Sequence, residues 1–349
     1  MQSLIGNLFS GPLDIVGDIH GEFDALLRLL SVMGYNTHGE HPQGRRLIFV
    51  GDLVDRGPDS PAVVEFVQTL VKRALAQCII GNHELNILRN DAKAGNGWII
   101  ESNRKEQLQG GEFAHSRIAS NGFREQFVDF IGALPLALRR DDLRVVHAAW
   151  VPASVAAVEA ERASVMELYS HFATHSKQQM EVEGLPVRAA AERKRWKDAL
   201  KDRHAHMELL TALGEFDERH QMGNPVRVLT SGVERLASKP FWSSGQWRMC
   251  DRVRWWDEYE DVPAVVVGHY WRRLKPIAGS DHASSKPDLF AGTRATEWLG
   301  PRRNVFCVDF SVGARYEERK KGASRFDTML CAMRWPEREL WGESGRVIA

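Results

Sequence analysis

Leu13-Asp14-Ile15-Val16-Gly17-Asp18-Ile19-His20-Gly21 joins a short apolar run to two metal-competent side chains set between glycines. The construction recurs twice. Arg46 to Val50 leads into Gly51-Asp52-Leu53-Val54-Asp55-Arg56-Gly57, and Gln77 to Ile80 leads into Gly81-Asn82-His83-Glu84. Runs this short, rich in Ile and Val and closed by Gly, read as buried parallel strands. Between them, Phe23 to Met33 has leucines at helical spacing. Pro61 to Ala76 reads as a second helix, with Ser60 as its cap. Strand, helix, strand, helix, strand implies βαβ crossovers and an α/β sheet. All three blocks then lie at the carboxyl ends of strands, where ligands bind in open α/β sheets.

Three later runs end in the same kind of residue. Leu143 to Val146 stops at His147, Val262 to Val267 at Gly268-His269, and Asn304 to Val308 at Asp309. Thr328 to Trp335 and Glu339 to Trp341 flank Pro336-Glu337-Arg338 and read as a hairpin. The stretch from Val151 to about Asn224 is rich in Ala, Glu, Lys, Arg and His and poor in β-branched runs. It predicts a helical insertion over 151–224, a cap, lid or oligomer contact, within one catalytic domain spanning 1–349. Ala189 to Leu213 reads as amphipathic helix. Trp242, Trp247, Trp255 and Trp256 follow, and such a cluster predicts packing between insertion and core.

Composition narrows the class. The 349 residues are 43% apolar, enough for a substantial core. Lys+Arg and Asp+Glu both number 46, so no net field favours nucleic acid or a membrane surface. Met1 to Pro12 has no signal-peptide pattern, and no window has the length and apolarity of a membrane span. The cysteines, Cys78, Cys250, Cys307 and Cys331, form no CxxC pair and read as reduced thiols in a cytoplasmic protein. A phosphorylated substrate is expected as the partner. Nucleic acid is expected only as substrate.

Asp, His and Asn together are ligands for borderline and hard divalent cations. A two-metal hydrolytic site needs a ligand shared by both ions, and a carboxylate can bridge through its two oxygens. Asp18 and His20, two positions apart, can turn toward one metal, and Asp52 is the natural bridge. Asn82 can coordinate through its amide oxygen, and His147 and His269 can complete the second metal. Alone, Asp18 reads as a cap or turn residue and His20 as a structural histidine. Their joint occurrence at five strand ends favours a two-metal site.

The order and spacing of GDIHG, GDLVDRG and GNHE resemble the PPP-type phosphatases of the calcineurin-like metallophosphoesterase superfamily. His147 in VVHAA and Gly268-His269 resemble that family's later motifs. NVFCVDFSVG and CAMRWPERELW resemble bacterial members, among them the phosphatase domain of polynucleotide kinase–phosphatases and the symmetrical diadenosine tetraphosphate hydrolases. The resemblance covers 13–149 and 262–341. It implies an α/β fold in which a β-sandwich is flanked by helices, in α-β-β-α layers. It implies that Asp18 and His20 bind metal one, that Asp52 bridges, and that Asn82, His147 and His269 bind metal two. It also implies His83 as general acid, Asp55 as the carboxylate holding its ring, and Arg56 as the phosphate grip. The cofactor is two divalent ions, Mn²⁺ first, with Fe, Zn, Co or Ni as alternatives. The implied reaction is hydrolysis of phosphomonoesters by in-line attack of a dimetal-bound hydroxide. The alternatives are a symmetrical dinucleoside polyphosphate hydrolase, a serine/threonine protein phosphatase and, remotely, a catalytically inactive regulatory protein on the same fold.

Two positions depart from the family pattern. Ile80 stands where protein phosphatases carry a second phosphate-gripping arginine, with Arg89, Arg139 or an arginine of the insertion as substitutes. Ala148-Ala149 follow His147 where glycine is usual. Glu84 reads as a structural acceptor, Asp309 as a structural residue or a support for the site, the histidines of the insertion as solvated, and Arg319-Lys320-Lys321 as a solvated loop.

Overall fold

Leu13–Val16 forms a strand and Phe23–Met33 a helix with the bounds their patterns predict. A computed structural model describes residues 3–105, 112–243, 245–274 and 288–347. The strands are β1 (Ile5–Asn7), β2 (Leu13–Val16), β3 (Arg46–Phe49), β4 (Ala76–Cys78), β5 (Ala137–Arg139), β6 (Leu143–Val146), β7 (Glu234–Ser243), β8 (Gln246–Arg252), β9 (Ala264–Val267), β10 (Val305–Cys307), β11 (Cys331–Trp335), β12 (Glu339–Gly342) and β13 (Gly345–Arg346). One sheet has the order β13-β12-β11-β2-β3-β4, another β1-β5-β6-β9-β10, and β7-β8 is a separate hairpin. β2, β3 and β4 are parallel, as are β6, β9 and β10. The expected hairpin near the end of the chain is β11-β12, antiparallel.

The two larger sheets face each other. Leu13, Ile15, Ile48 and Val50 of one share a buried cluster with Leu143, Val145, Val266 and Phe306 of the other. Their alternates, Val16, Leu47, Phe49, Val146, Val265 and Val267, belong to a second cluster with the helices. Side chains alternate across a strand, so a run apolar at every position has both faces covered. The result is a mixed α/β sandwich flanked by helices.

Helix α1 (Phe23–Met33) buries Leu26, Leu29, Leu30 and Met33, and stops where Gly34 takes φ 96°, a conformation glycine adopts without penalty. Helix α2 (Ser60–Lys72) is capped by Asp59, whose side chain accepts from Ala62 N–H. Ser60 is therefore not the cap. Its hydroxyl accepts from Asp55 N–H at 2.9 Å. The helix ends before Ala76 because the chain turns through Ala74 at φ 56° and pairs as β4. Helices α3 (Asn82–Leu88) and α4 (Asn121–Gly132) complete the first half.

Helices α5 (Pro152–Glu159), α6 (Val165–Val182), α7 (Leu185–Arg195), α8 (Thr211–Met222) and α9 (Pro225–Ser231) occupy the Ala/Glu/Lys-rich stretch, and α10 (Arg315–Lys320) lies near the end. Ala189 to Leu213 is not one helix. It breaks after α7 because Leu200, Met207, Leu210 and Leu213 turn to bury against Met249 of β8. Trp255 and Trp256 are buried in the main core, as their clustering predicts, whereas Trp242 and Trp247 pair on the β7-β8 hairpin at 5.8 Å between ring centroids. Among the described residues, no helix is long and apolar enough to cross a membrane.

Candidate metal centre

The loops after β2, β3, β4, β6 and β9 carry Asp18/His20, Asp52, Asn82, His147 and His269 to one place. Two groups of ligand atoms form there, each within 4.8 Å: His20, Asp52 and His83, and Asp52, His147 and His269. Asp52 belongs to both. The loops reach this arrangement through unusual backbone. His20, Asp52, Asp55, Arg56 and His269 all have positive φ, between 48° and 73°. Each such non-glycine residue costs on the order of 1–3 kcal/mol, a strain that clusters at functional sites.

Hydrogen bonds aim the rings. His20 Nδ1 donates to Val54 O (3.1 Å) and His147 Nδ1 to Val50 O (2.7 Å). A carbonyl can only accept, so both Nε2 atoms are left as lone-pair donors to the centre. His20 Nε2 lies 3.7 Å from Asp52 Oδ2, and His147 Nε2 lies 3.4 Å from Asp52 Oδ1. Asn82 Oδ1 is 2.8 Å from His269 Nδ1 and 3.2 Å from His147 Nε2. Asp18 accepts from His269 N–H at 3.0 Å. Glu84 accepts from the N–H groups of Asp52, Leu53 and Gly81, the structural role expected of it. Asp309 takes Trp271 N–H and Ser311 N–H on its two oxygens.

His83 stands slightly apart. Its Nδ1 donates to Asp55 Oδ2 at 2.6 Å, its ring meets His20 edge-on at 4.7 Å, and its Nε2 is 3.9 Å from Asp52 Oδ2. Asp55 is itself fixed by Trp98 Nε1 at 2.7 Å. Arg56 Nη1 reaches to 3.4 Å from His20 Nε2.

The charge pattern suits cations. Asp18, Asp52 and Asp309 are all buried. Burial, with Asp309 and Asp52 adding to it, pushes the Asp18 carboxyl well above its usual range. Burial also pushes Asp52 up, but the His147 and His83 imidazoles outweigh it and hold Asp52 well below. Burial pushes His147 down, yet Asp52 and Asp18 carry it up to about 10. Burial, Arg56 and His83 together depress His20. Without cations the buried negative charge holds protons on Asp18 and on His147 Nε2, and divalent cations would replace those protons. The backbone also clears space for the carboxylates. A Cβ at Gly268 would lie 2.0 Å from Asp18 Oδ1, and one at Gly81 would lie 2.3 Å from Asp52 Oδ1. The mixed O and N donors fit Mn, Fe, Zn, Co or Ni.

The calcineurin-like phosphoesterase family profile matches residues 11–270, a range that holds every residue of this centre. The chain belongs to that family. Its members use a two-metal centre, so this phosphoesterase is a hydrolase and its residue groups are able to bind metal. A bis(5'-nucleosyl)-tetraphosphatase PrpE (asymmetrical) of Oceanobacillus iheyensis is 31% identical over 180 residues, covering 50% of this chain and 69% of that protein. The Bacillus subtilis protein of the same name is 33% identical over 144 residues, 39% of this chain and 56% of its own length. Among solved structures, a cold-active protein-tyrosine phosphatase of Shewanella sp. aligns over 99% of this chain and 82% of its own, with TM-score 0.48 and 14% identity.

Of the residues predicted from sequence, Asp18, His20, Asp52, Asn82, His83, His147 and His269 come together, with Asp55 and Arg56 beside them. Two of the substitutes named for the missing arginine, Arg89 and Arg139, are engaged elsewhere. Arg89 bonds Asp91 (3.1 Å) and lies over Tyr169, and Arg139 pairs with Glu159. Ala148 and Ala149 are fully buried, Ala148 bonding Leu229 O through its N–H and Trp255 Nε1 through its carbonyl. Sequence reading missed Trp98, which has no periodic or motif signal, and Glu22, which Arg319 holds through two 2.5 Å bonds. Arg319 is therefore not solvated but lies on α10, tied to the residue after His20-Gly21, whereas Lys320 and Lys321 are exposed as expected.

Proposed function

We propose that this chain is a metal-dependent phosphatase of phosphomonoesters, with Asp18, His20, Asp52, Asn82, His147 and His269 holding two divalent cations. The observation that carries the reading is that one carboxylate, Asp52, belongs to two separate ligand groups. When bound, two such ions withdraw charge from phosphoryl oxygens and lower the pKa of water. The chain supplies the rest. Arg56 presents a planar guanidinium, suited to two phosphate oxygens, beside His20. His83 is the general acid. Asp55 accepts the Nδ1–H, so the imidazolium form turns Nε2–H toward the centre, gives that proton to the leaving oxygen and returns to the Nδ1–H tautomer. Trp98 keeps the Asp55 carboxylate from rotating away, and Ser60 holds the Asp55 backbone N–H. The helices from α5 to α8, within the 151–224 insertion, are proposed as a cap within a single catalytic domain. Manganese is the metal to try first, and the cytoplasm the expected compartment.

The test is release of p-nitrophenol from p-nitrophenyl phosphate. Turnover is expected with Mn²⁺, is lost on chelation and returns on re-addition. A folded, Mn²⁺-loaded sample with no turnover would contradict the proposal. The names of the relatives favour a second reading, hydrolysis of a dinucleoside polyphosphate, although the second relative is matched over little more than half its length. Product analysis on diadenosine tetraphosphate decides it: AMP and ATP signify asymmetrical cleavage, two ADP symmetrical cleavage, and no cleavage rules this reading out.

A further inference from the structure

Trp271 follows the metal-centre histidine by two positions and is unusual in three respects. It is one of the few large apolar residues left exposed, at 41%. Its backbone lies at φ 33°, a conformation that side-chain-bearing residues rarely adopt. It is also pinned on both sides. Its N–H donates to Asp309 Oδ2 (2.9 Å), Arg272 N–H donates to Asp309 O (2.9 Å), and Ser311 Oγ donates to Arg272 O (2.9 Å). The buried Arg272 guanidinium is anchored in turn on Arg294 O and Glu297 O. An indole held rigidly outward from a strained backbone is being presented, not left over.

Its neighbour indicates what it is presented to. The Arg56 guanidinium lies over the Trp271 ring, 4.9 Å from its centroid, with Phe113 on Arg56 at 6.0 Å. Arg56 Nη1 is 3.4 Å from His20 Nε2. The order is therefore metal centre, phosphate-gripping arginine, exposed indole. A ring stacked against that indole is offset from a phosphate on Arg56 by at least the width of a guanidinium. A ribose spans such an offset, whereas a ring esterified directly to the phosphate does not.

We propose that Trp271 is a specificity-determining residue that stacks on the nucleobase of a nucleotide whose phosphate is held by Arg56. The inference rests on the phosphatase reading for the place of the phosphate, but its test reads binding. The Mn²⁺-loaded full chain, with Trp271 wild type or varied and His83→Asn in every titrated sample so that these phosphomonoesters are not consumed, is titrated calorimetrically with AMP, ribose 5-phosphate and phenyl phosphate. Loss of one base–aromatic stack corresponds to about a 5- to 150-fold change. AMP is expected to bind tighter than ribose 5-phosphate by a factor in that range, with phenyl phosphate no better than ribose 5-phosphate. Trp271→Ala is expected to erase the AMP advantage while ribose 5-phosphate keeps its affinity, and Trp271→Phe to retain most of that advantage. Equal binding of AMP and ribose 5-phosphate by the chain that keeps Trp271 would overturn the proposal. So would an equal loss for both ligands in Trp271→Ala, which marks a role limited to holding Arg56, or an equal gain for phenyl phosphate, which marks recognition of any aryl ester. If the AMP preference holds while the wild-type chain fails to hydrolyse p-nitrophenyl phosphate, the hydrolytic reading fails and the base-stacking site stands.

Discussion

His83 is held by a chain of buried bonds, Trp98 to Asp55 to imidazole, each between 2.6 and 2.7 Å. Removing the ring's acid function while keeping its size isolates the proton transfer. His83→Asn is expected to lower kcat about 10²–10⁴-fold with metal content unchanged, read by steady-state kinetics and elemental analysis on one sample. Asp55→Asn, which loses the carboxylate that fixes the tautomer, is expected to lower activity by roughly 10–100-fold. Gly268→Ala tests the space around Asp18. Its Cβ would lie 2.0 Å from Asp18 Oδ1, so metal content is expected to fall. Much of this scale was legible in advance, because metal-competent residues between glycines announce themselves in sequence. Trp98 and Trp271 did not. A tryptophan reads as core by default, and only the folded loops put one under Asp55 and the other over Arg56.

At the scale of elements, α10 is tied back to the start of the chain. Arg319 and Arg315 face Glu22, and Arg315 and Arg28 face Glu343. A run of three cations looks solvated in sequence, since the acid that receives Arg319 lies at the opposite end of the chain. Burial pushes the Glu343 carboxyl up, but Arg315 outweighs it and holds the carboxyl below its ordinary value. With the folded pKa depressed, the contribution of Glu343 to stability is complete above the unfolded value near 4.5 and is lost as pH falls through the folded one. Glu343→Gln is therefore expected to cost about 2 kcal/mol near neutral pH, with the deficit shrinking below pH 4.5 in denaturant titrations. A deficit independent of pH would contradict the ion pair. Element bounds showed the same limit. Strands and α1 followed their apolar spacing closely, while α2 and the break after α7 depended on Ala74 and on Leu200, Met207 and Leu210, whose partners are distant in the chain.

Across the whole molecule, the proposed ligands come from two sheets. His20, Asp52 and Asn82 follow β2, β3 and β4, and His147 and His269 follow β6 and β9 of the facing sheet. Cations held as proposed would clamp the sandwich at one end, while Leu13, Ile15, Val145 and Val266 hold its middle. Saturating Mn²⁺ is thus expected to stabilise the whole fold, by about 2.7 kcal/mol at a hundredfold excess over Kd, and chelation to reverse the rise in Tm. The α/β sheet was legible because its parallel strands are mostly apolar, whereas the pairing of two sheets into a sandwich was implied only by the family resemblance. The 151–224 insertion was legible only as helical, since solvated faces carry no record of what they cover. The most direct test is the metal content of Asp52→Ala against the wild-type chain after equilibration with Mn²⁺, with circular dichroism to confirm folding. A carboxylate shared by two sites predicts two Mn²⁺ per wild-type chain and loss of both in the variant. Retention of one or both ions by folded Asp52→Ala would contradict the shared site.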